Sequence, residues 1–206
     1  LYTQALTSLV PKAPASELQN IVVNNEGFNF NILVMDSDST VVGSTLYVYI
    51  YDKDGFVVGS QALVVGLNSV SYNGLLSNNE YQVVVSADFN VLDGSGLQTD
   101  QTLVFGAITT LAKEVPTAVI TDPDQTISSV KANIEITDED GVIEAGTLSA
   151  VLTKDGVVVG SPVALVVGDN FNVEFTGIMS DSNYVINIYV DYDLDDSKGI
   201  IEDVRL

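Results

Sequence analysis

The side chains with chemistry to offer are carboxylates. The run DYDLDDSKGIIE sets Asp191, Asp193, Asp195 and Glu202 at positions 1, 3, 5 and 12 of a loop-sized stretch. That is the ligand spacing of a calcium-binding loop, in which oxygen donors wrap a hard cation. The sixth position of such a loop needs Gly for its sharp turn, and here it is Asp196. The matching run earlier in the chain, DFNVLDGSG, has Leu92 where a ligand would stand. The stretch therefore reads first as a solvated hairpin. No cofactor is called for, and calcium is the one ion the spacing admits. Asp36 and Asp38, and likewise Asp138, Glu139 and Asp140, fall in turns between strands. Asp122 and Asp124 flank Pro123 near the junction of the two halves and form a second calcium candidate. Paired carboxylates also act as acid and base in glycoside hydrolysis, within a walled cleft. Nothing in the chain marks such a cleft with aromatic platforms, so the expectation is a protein that is not an enzyme.

The residue types that are missing say as much. The chain has no Cys, no His and no Trp. Thiol nucleophiles, His general bases, Ser-His-Asp triads and most zinc sites are thereby excluded. Of the 206 residues, 28 are acidic and 7 basic, for a formal net charge of −21. With Arg205 as the sole Arg, the chain cannot neutralise a row of phosphates, so nucleic acid is not an expected partner. Anionic membrane surfaces are disfavoured for the same reason. At 46% hydrophobic the chain can bury a core and does not read as a disordered acidic tail. Its apolar runs, such as ALVVG, are too short to span a bilayer, so membrane insertion is not expected. There is no Asn-x-Ser/Thr sequon, and Leu1 in place of Met fits processing or excision.

What must position these side chains is a repeated unit. KDGFVVGSQALVVG at 53–66 returns as KDGVVVGSPVALVVG at 154–168. Gly74, Leu75 and Tyr81 match Gly177, Ile178 and Tyr184; Asp36 matches Asp138; Pro14 matches Pro116. Each copy reads as short runs rich in Val, Ile, Tyr, Phe and Thr. Turn clusters such as DSDST, DKDG, SNNE and LDGSG separate them, the pattern of an all-β sandwich. Tyr47, Tyr49 and Tyr51 alternate along one run and share a face of their sheet. The second copy has Ser149 and Val151 there, so the stripe reads as packing rather than as a sugar platform.

Leu75 with Tyr81 in YNGLLSNNEYQVVVSADF, and Ile178 with Tyr184 in FTGIMSDSNYVINIYVDYD, resemble the E–F corner and F strand of fibronectin type III-like domains. The resemblance implies a tyrosine corner, with the rings of Tyr81 and Tyr184 in the core and their hydroxyls tying down the neighbouring loop. The fuller pattern, KDG-x-VVGS followed by GL-x-x-NNEY and TTLAKEVP, is similar to tandem modules of bacterial surface proteins and phage virion proteins. It implies an extracellular, cell-surface or virion location. The chain lacks the strand-B Trp usual in fibronectin type III modules, so "fibronectin/immunoglobulin-like" is the expected fold.

The repeat also explains the opening stretch, LYTQALTSLVPKAP. Ala5-Leu6-Thr7-Ser8-Leu9 falls on Ala107-Ile108-Thr109-Thr110-Leu111. Residues 1–13 therefore read as a last strand, strand G, and a linker, with no sandwich of their own. Residues 14–113 form a first module. Residues 114–206 form a second that lacks its own last strand, since Leu206 falls on Leu103. A sandwich without strand G uncovers about three large apolar side chains, at roughly 1.5–3 kcal/mol each. That approaches the ~5–15 kcal/mol stability of a whole domain. The expected architecture is all-β, two tandem sandwiches plus an N-terminal extra strand. The expected function is a structural subunit of an extracellular fibre. Leu1, Ala5, Leu6 and Leu9 of one copy would complete the second module of the next, head to tail. The alternative is a two-module segment of a longer tail fibre or adhesin, with adjacent modules of the same array as partners and a spacer, receptor-binding or carbohydrate-binding role.

Overall fold

The computed structural model describes residues 9–206. All its regular elements are β-strands, and no helix among the described residues is long and apolar enough to cross a membrane. The chain divides into two compact units between Leu111 and Ala112, two residues before the expected boundary.

In the first unit, β1 (Ala15–Val23), β2 (Gly27–Met35) and β5 (Gly66–Asn73) form one antiparallel sheet in the order β1-β2-β5. Facing it are β3 (Tyr47–Tyr51), β4 (Val57–Ala62), β6 (Glu80–Phe89) and β7 (Gln98–Thr109), ordered β4-β3-β6-β7. In the lettering of these sandwiches the sheets are A-B-E and C′-C-F-G. The strands form because β-branched and aromatic residues alternate with polar ones, putting one side of each pleat into the core. Phe28, Phe30, Ile32 and Val34 face inward from β2, and Val83 and Val85 from β6. Tyr81, Val48 and Ile50 complete the floor of this core.

The second unit repeats the plan. Strands β8 (Thr117–Gln125), β9 (Ser129–Thr137) and β13 (Gly168–Thr176) form the A-B-E sheet. The other sheet runs β11-β10-β14-β15, from β10 (Ser149–Lys154), β11 (Val157–Val158), β14 (Val185–Tyr192) and β15 (Ile201–Arg205). Its core gathers Ile134, Ile136, Leu152, Phe175, Ile188 and Val190. Strand C′ is split here, because β12 (Val163–Ala164) pairs separately with the far end of β10. Pro162 stands between the pieces, and the second copy has one residue more than the first at this point. Proline has no amide to give to the ladder, so an edge strand breaks there.

One expectation needs correction. The sequence reading leaves the second sandwich with no last strand, whereas β15 pairs with β14 through Tyr189↔Arg205, Val190↔Val204 and Tyr192↔Ile201. These are the counterparts of the opening half of β7, where polar Gln98–Thr102 pairs with Phe89–Ser86. An edge strand is held by its backbone and does not need apolar side chains, so this half carries little hydrophobic signal in the sequence.

Candidate strand-acceptor groove

The first sandwich shows what fills the space between strands A and F. The second half of β7 pairs with β6 from Val85↔Val104 to Glu80↔Thr109. Alternation turns Ile108 and Thr110 into the interior and leaves Phe105, Ala107 and Thr109 exposed. Leu103 and Val104 both pack against the core, because the register shifts by one between Val85 and Ser86. The fit is tight: a Cβ on Gly106 would lie 2.7 Å from Leu18 Cδ1 on β1.

The same space in the second sandwich is open. β15 covers only the upper part of β14, and its last contact is the Leu206 amide donating to the Ile188 carbonyl at 3.1 Å. From Val185 to Asn187, β14 has no strand on that side among the described residues. Three adjoining hollows of about 240, 530 and 500 Å³ run along the gap between β8 and β14. Ile120, Val185 and Ile186 line the first two, and Gln125 and Tyr184 join the last two. Ile120 is 39% exposed and Ile186 is only partly buried. An uncovered edge with apolar side chains beneath it is a template for another strand.

The loop between strands E and F marks one end of the groove. In the first sandwich the Tyr81 hydroxyl accepts from the Leu76 amide at 2.9 Å, which is the tyrosine corner. Burial pushes the Tyr81 phenol above its ordinary pKa, with the Leu76 bond acting against that shift. Thr110, at the end of β7, is 2% exposed. Its Oγ1 donates to the Leu76 carbonyl at 2.6 Å and accepts from the Asn79 amide at 3.0 Å. The Thr110 amide donates to the Asn79 carbonyl at 3.0 Å. The second sandwich has the corner but no such closure. There the Tyr184 hydroxyl accepts from the Met179 amide at 2.8 Å and donates to the Met179 carbonyl at 3.2 Å. The carbonyl that Thr110 takes in the first copy is thus held in the second by the corner tyrosine itself.

Of the four residues expected to bridge, Leu1, Ala5 and Leu6 lie outside the described residues, and Leu9 is almost fully exposed. Their counterparts divide by face. Leu103 and Ile108 pack inward, while Ala107 and Leu111 are exposed. The linker that follows is set equivalently in both copies. The Lys12 amide donates to Asp38 Oδ2 at 2.7 Å, and the Glu114 amide to Asp140 Oδ2 at 2.6 Å.

The four carboxylates with calcium spacing do not converge. Asp191 Oδ1 accepts from the Asp203 amide at 2.7 Å, where a positive φ of 53° bulges β15. Asp88 does the same for Asp100 in the first copy, at 2.8 Å. Asp193 Oδ1 accepts from the Asp195 amide, as Asn90 does from Leu92, so both shape the F–G turn. Asp195 pairs with the Lys113 ammonium at 2.5 Å, and Glu202 is exposed on β15. Among the described residues no three acidic side chains are grouped to hold a metal ion. Asp122 Oδ2 accepts from Asn133 Nδ2 at 3.2 Å on its own sheet. Tyr47 stacks on Tyr49 with ring centroids 5.9 Å apart, and Tyr51 lies tilted against Tyr49 at 6.3 Å.

Sequence reasoning passed over Thr110 and the paired Asn68 and Asn170. Each Asn caps its own turn through its Oδ1, to the Val64 or the Val166 amide at 2.9 Å. The signal for Thr110 was present, because it shares its register with a hydroxyl residue, Ser8, in the opening stretch.

No protein-family model matches the chain, and no curated protein does. Among solved structures the chain is similar to a two fibronectin type-III domain segment from chicken tenascin. The two are 14% identical, with 92% of this chain and 98% of that one covered and a TM-score of 0.39.

Proposed function

We propose that this chain is a non-enzymatic structural module whose second sandwich accepts a β-strand, and that the strand comes from residues 2–9 of another copy. The observation that carries the reading is the open groove between β8 and β14, at the place β7 fills in the first sandwich. Residues 2–9 match residues 104–111 position for position and follow on from Leu206, which holds the register of Leu103, with Leu6 at the register of Ile108 and Ser8 at that of Thr110. Alternation then turns Tyr2, Gln4, Leu6 and Ser8 toward the groove, and Gln4 stands where the first copy has Gly106, so the donated strand must lie farther from Ile120 than β7 does from Leu18. Two inward apolar side chains supply roughly 1.5–3 kcal/mol each, and the ladder takes up the Ile186 amide and carbonyl, which face the groove. A head-to-tail contact of this kind propagates into an open fibre. The assembly belongs outside the cell, at a cell surface or on a virion, where similar tandem modules are expected to work.

The test is light scattering and electron microscopy on the full chain and on a version lacking residues 1–10. Filaments from the full chain that vanish in the shortened one support the reading. Monomers from both overturn it, and the groove would then take a strand from elsewhere in a longer array.

A further inference from the structure

The unfinished E–F loop of the second sandwich indicates which atom of an incoming strand fixes its register. This step rests on the strand-exchange reading above. In the first sandwich the last strand does not simply run out. Thr110 closes it with one buried hydroxyl that serves a carbonyl and an amide of the E–F loop, and with its own amide. In the second sandwich the counterparts of Leu76 and Asn79 are Met179 and Ser182. Met179 is 72% exposed against 44% for Leu76, and the hollow beside it, about 500 Å³, is walled by Met179–Tyr184. The Met179 carbonyl is held at 3.2 Å by the Tyr184 hydroxyl, which also accepts from the Met179 amide.

We infer that Ser8 is the register latch of the donated strand, its hydroxyl donating to the Met179 carbonyl and accepting from the Ser182 amide of the accepting copy. A shift of one residue along the groove would bring Leu9, which has no hydroxyl, or Thr7, which has one but leaves Ala5 in place of Leu6 at the register of Ile108. A shift of two would bring Leu6 or Val10, which have no hydroxyl. Ser8 is therefore the residue of the segment that gives a hydroxyl at the E–F loop while Leu6 fills the register of Ile108. Docking releases the Tyr184 hydroxyl to its single bond with the Met179 amide, as Tyr81 has with Leu76. Ser8 is a positioning residue: it sets where the strand stops, while Leu6 supplies the burial.

The experiment uses the full chain with Ser8→Ala and Ser8→Thr, reading the concentration needed for assembly and the hydrogen exchange of the Ser182 amide. Loss of one such hydroxyl is expected to raise that concentration about tenfold. It is also expected to remove protection at Ser182 while Ile186, whose amide faces the groove, stays protected. Ser8→Thr should restore both. If Ser8→Ala assembles like the unaltered chain with Ser182 equally protected, the latch is wrong and the strand exchange stands. If the unaltered chain does not assemble at all, both fall.

Discussion

The Thr110 hydroxyl lies 2.6 Å from the Leu76 carbonyl, so the end of strand G closes the loop that leads into strand F. The same hydroxyl accepts from the Asn79 amide, and the residue is almost wholly buried. Replacing it with the isosteric Val leaves a part-buried carbonyl and amide without this partner. Thr110→Val is expected to destabilise the first sandwich by about 1–3 kcal/mol, read by denaturant unfolding.

Tyr72 makes a contrasting case. Its hydroxyl is buried and has no hydrogen-bond partner among the described residues, and burial pushes its phenol above the ordinary pKa. The ring packs edge-on against Phe28 at a centroid distance of 6.2 Å. Its counterpart in the second copy is Phe175, equally a core residue. Tyr72→Phe keeps the ring and removes the orphaned group. A gain of about 1 kcal/mol is expected in the same measurement.

Asp36 gives the acid limb of the stability curve its sign. Desolvation pushes its carboxyl up, but bonds from the Val41 amide, the Thr40 amide and the Thr40 hydroxyl outweigh this and hold its pKa below 3.8. A depressed carboxylate stabilises the fold above its unfolded pKa, and that contribution is lost as pH falls through the folded value. Asp36→Asn is therefore expected to lower stability at neutral pH and to flatten the loss below about pH 4. Thermal melts between pH 7 and pH 2.5 read the difference.

The F–G hairpin separates a metal role from a backbone role. Asp191 and Asp88 each accept from the amide of a bulged residue in the facing strand. Asp191→Ala is expected to cost about 1 kcal/mol, by the same amount in chelator and in millimolar calcium. A loss seen only with calcium would restore the metal-binding reading of that stretch.

The tandem sandwiches were legible because both copies carry the same punctuation. Two KDG turns, two aliphatic-to-Tyr corners and alternating Val and Ile runs agree on period and face. The tyrosine corners, in particular, need only the spacing of Leu75 to Tyr81 and of Ile178 to Tyr184. What stayed hidden depends on backbone. The five residues of β15 pair without an apolar pattern, so the repeat alone read them as missing. The bulge at Val85/Ser86 lets Leu103 and Val104 both touch the core, which strict alternation forbids, and the inward set is therefore Ile108 and Thr110 rather than Ala107 and Leu111. The duty of Asp191 depends on a positive φ at Asp203, a conformation no spacing rule reports.

In the proposed fibre, residues 2–9 of one copy lie beside β14 of another, in the register of β7. The chain has no Cys, so a disulfide can report it cleanly. Ala107 pairs with Gln82, whose counterpart is Val185, and Ala5 shares the register of Ala107. Two single variants, Ala5→Cys and Val185→Cys, are purified separately, mixed and mildly oxidised. The expected result is a cross-linked pair that forms far faster than either variant links to itself, with no such pair between Val185→Cys and Gln4→Cys, one residue out of register. Equal linking by Ala5→Cys and Gln4→Cys, or none by either, would contradict it.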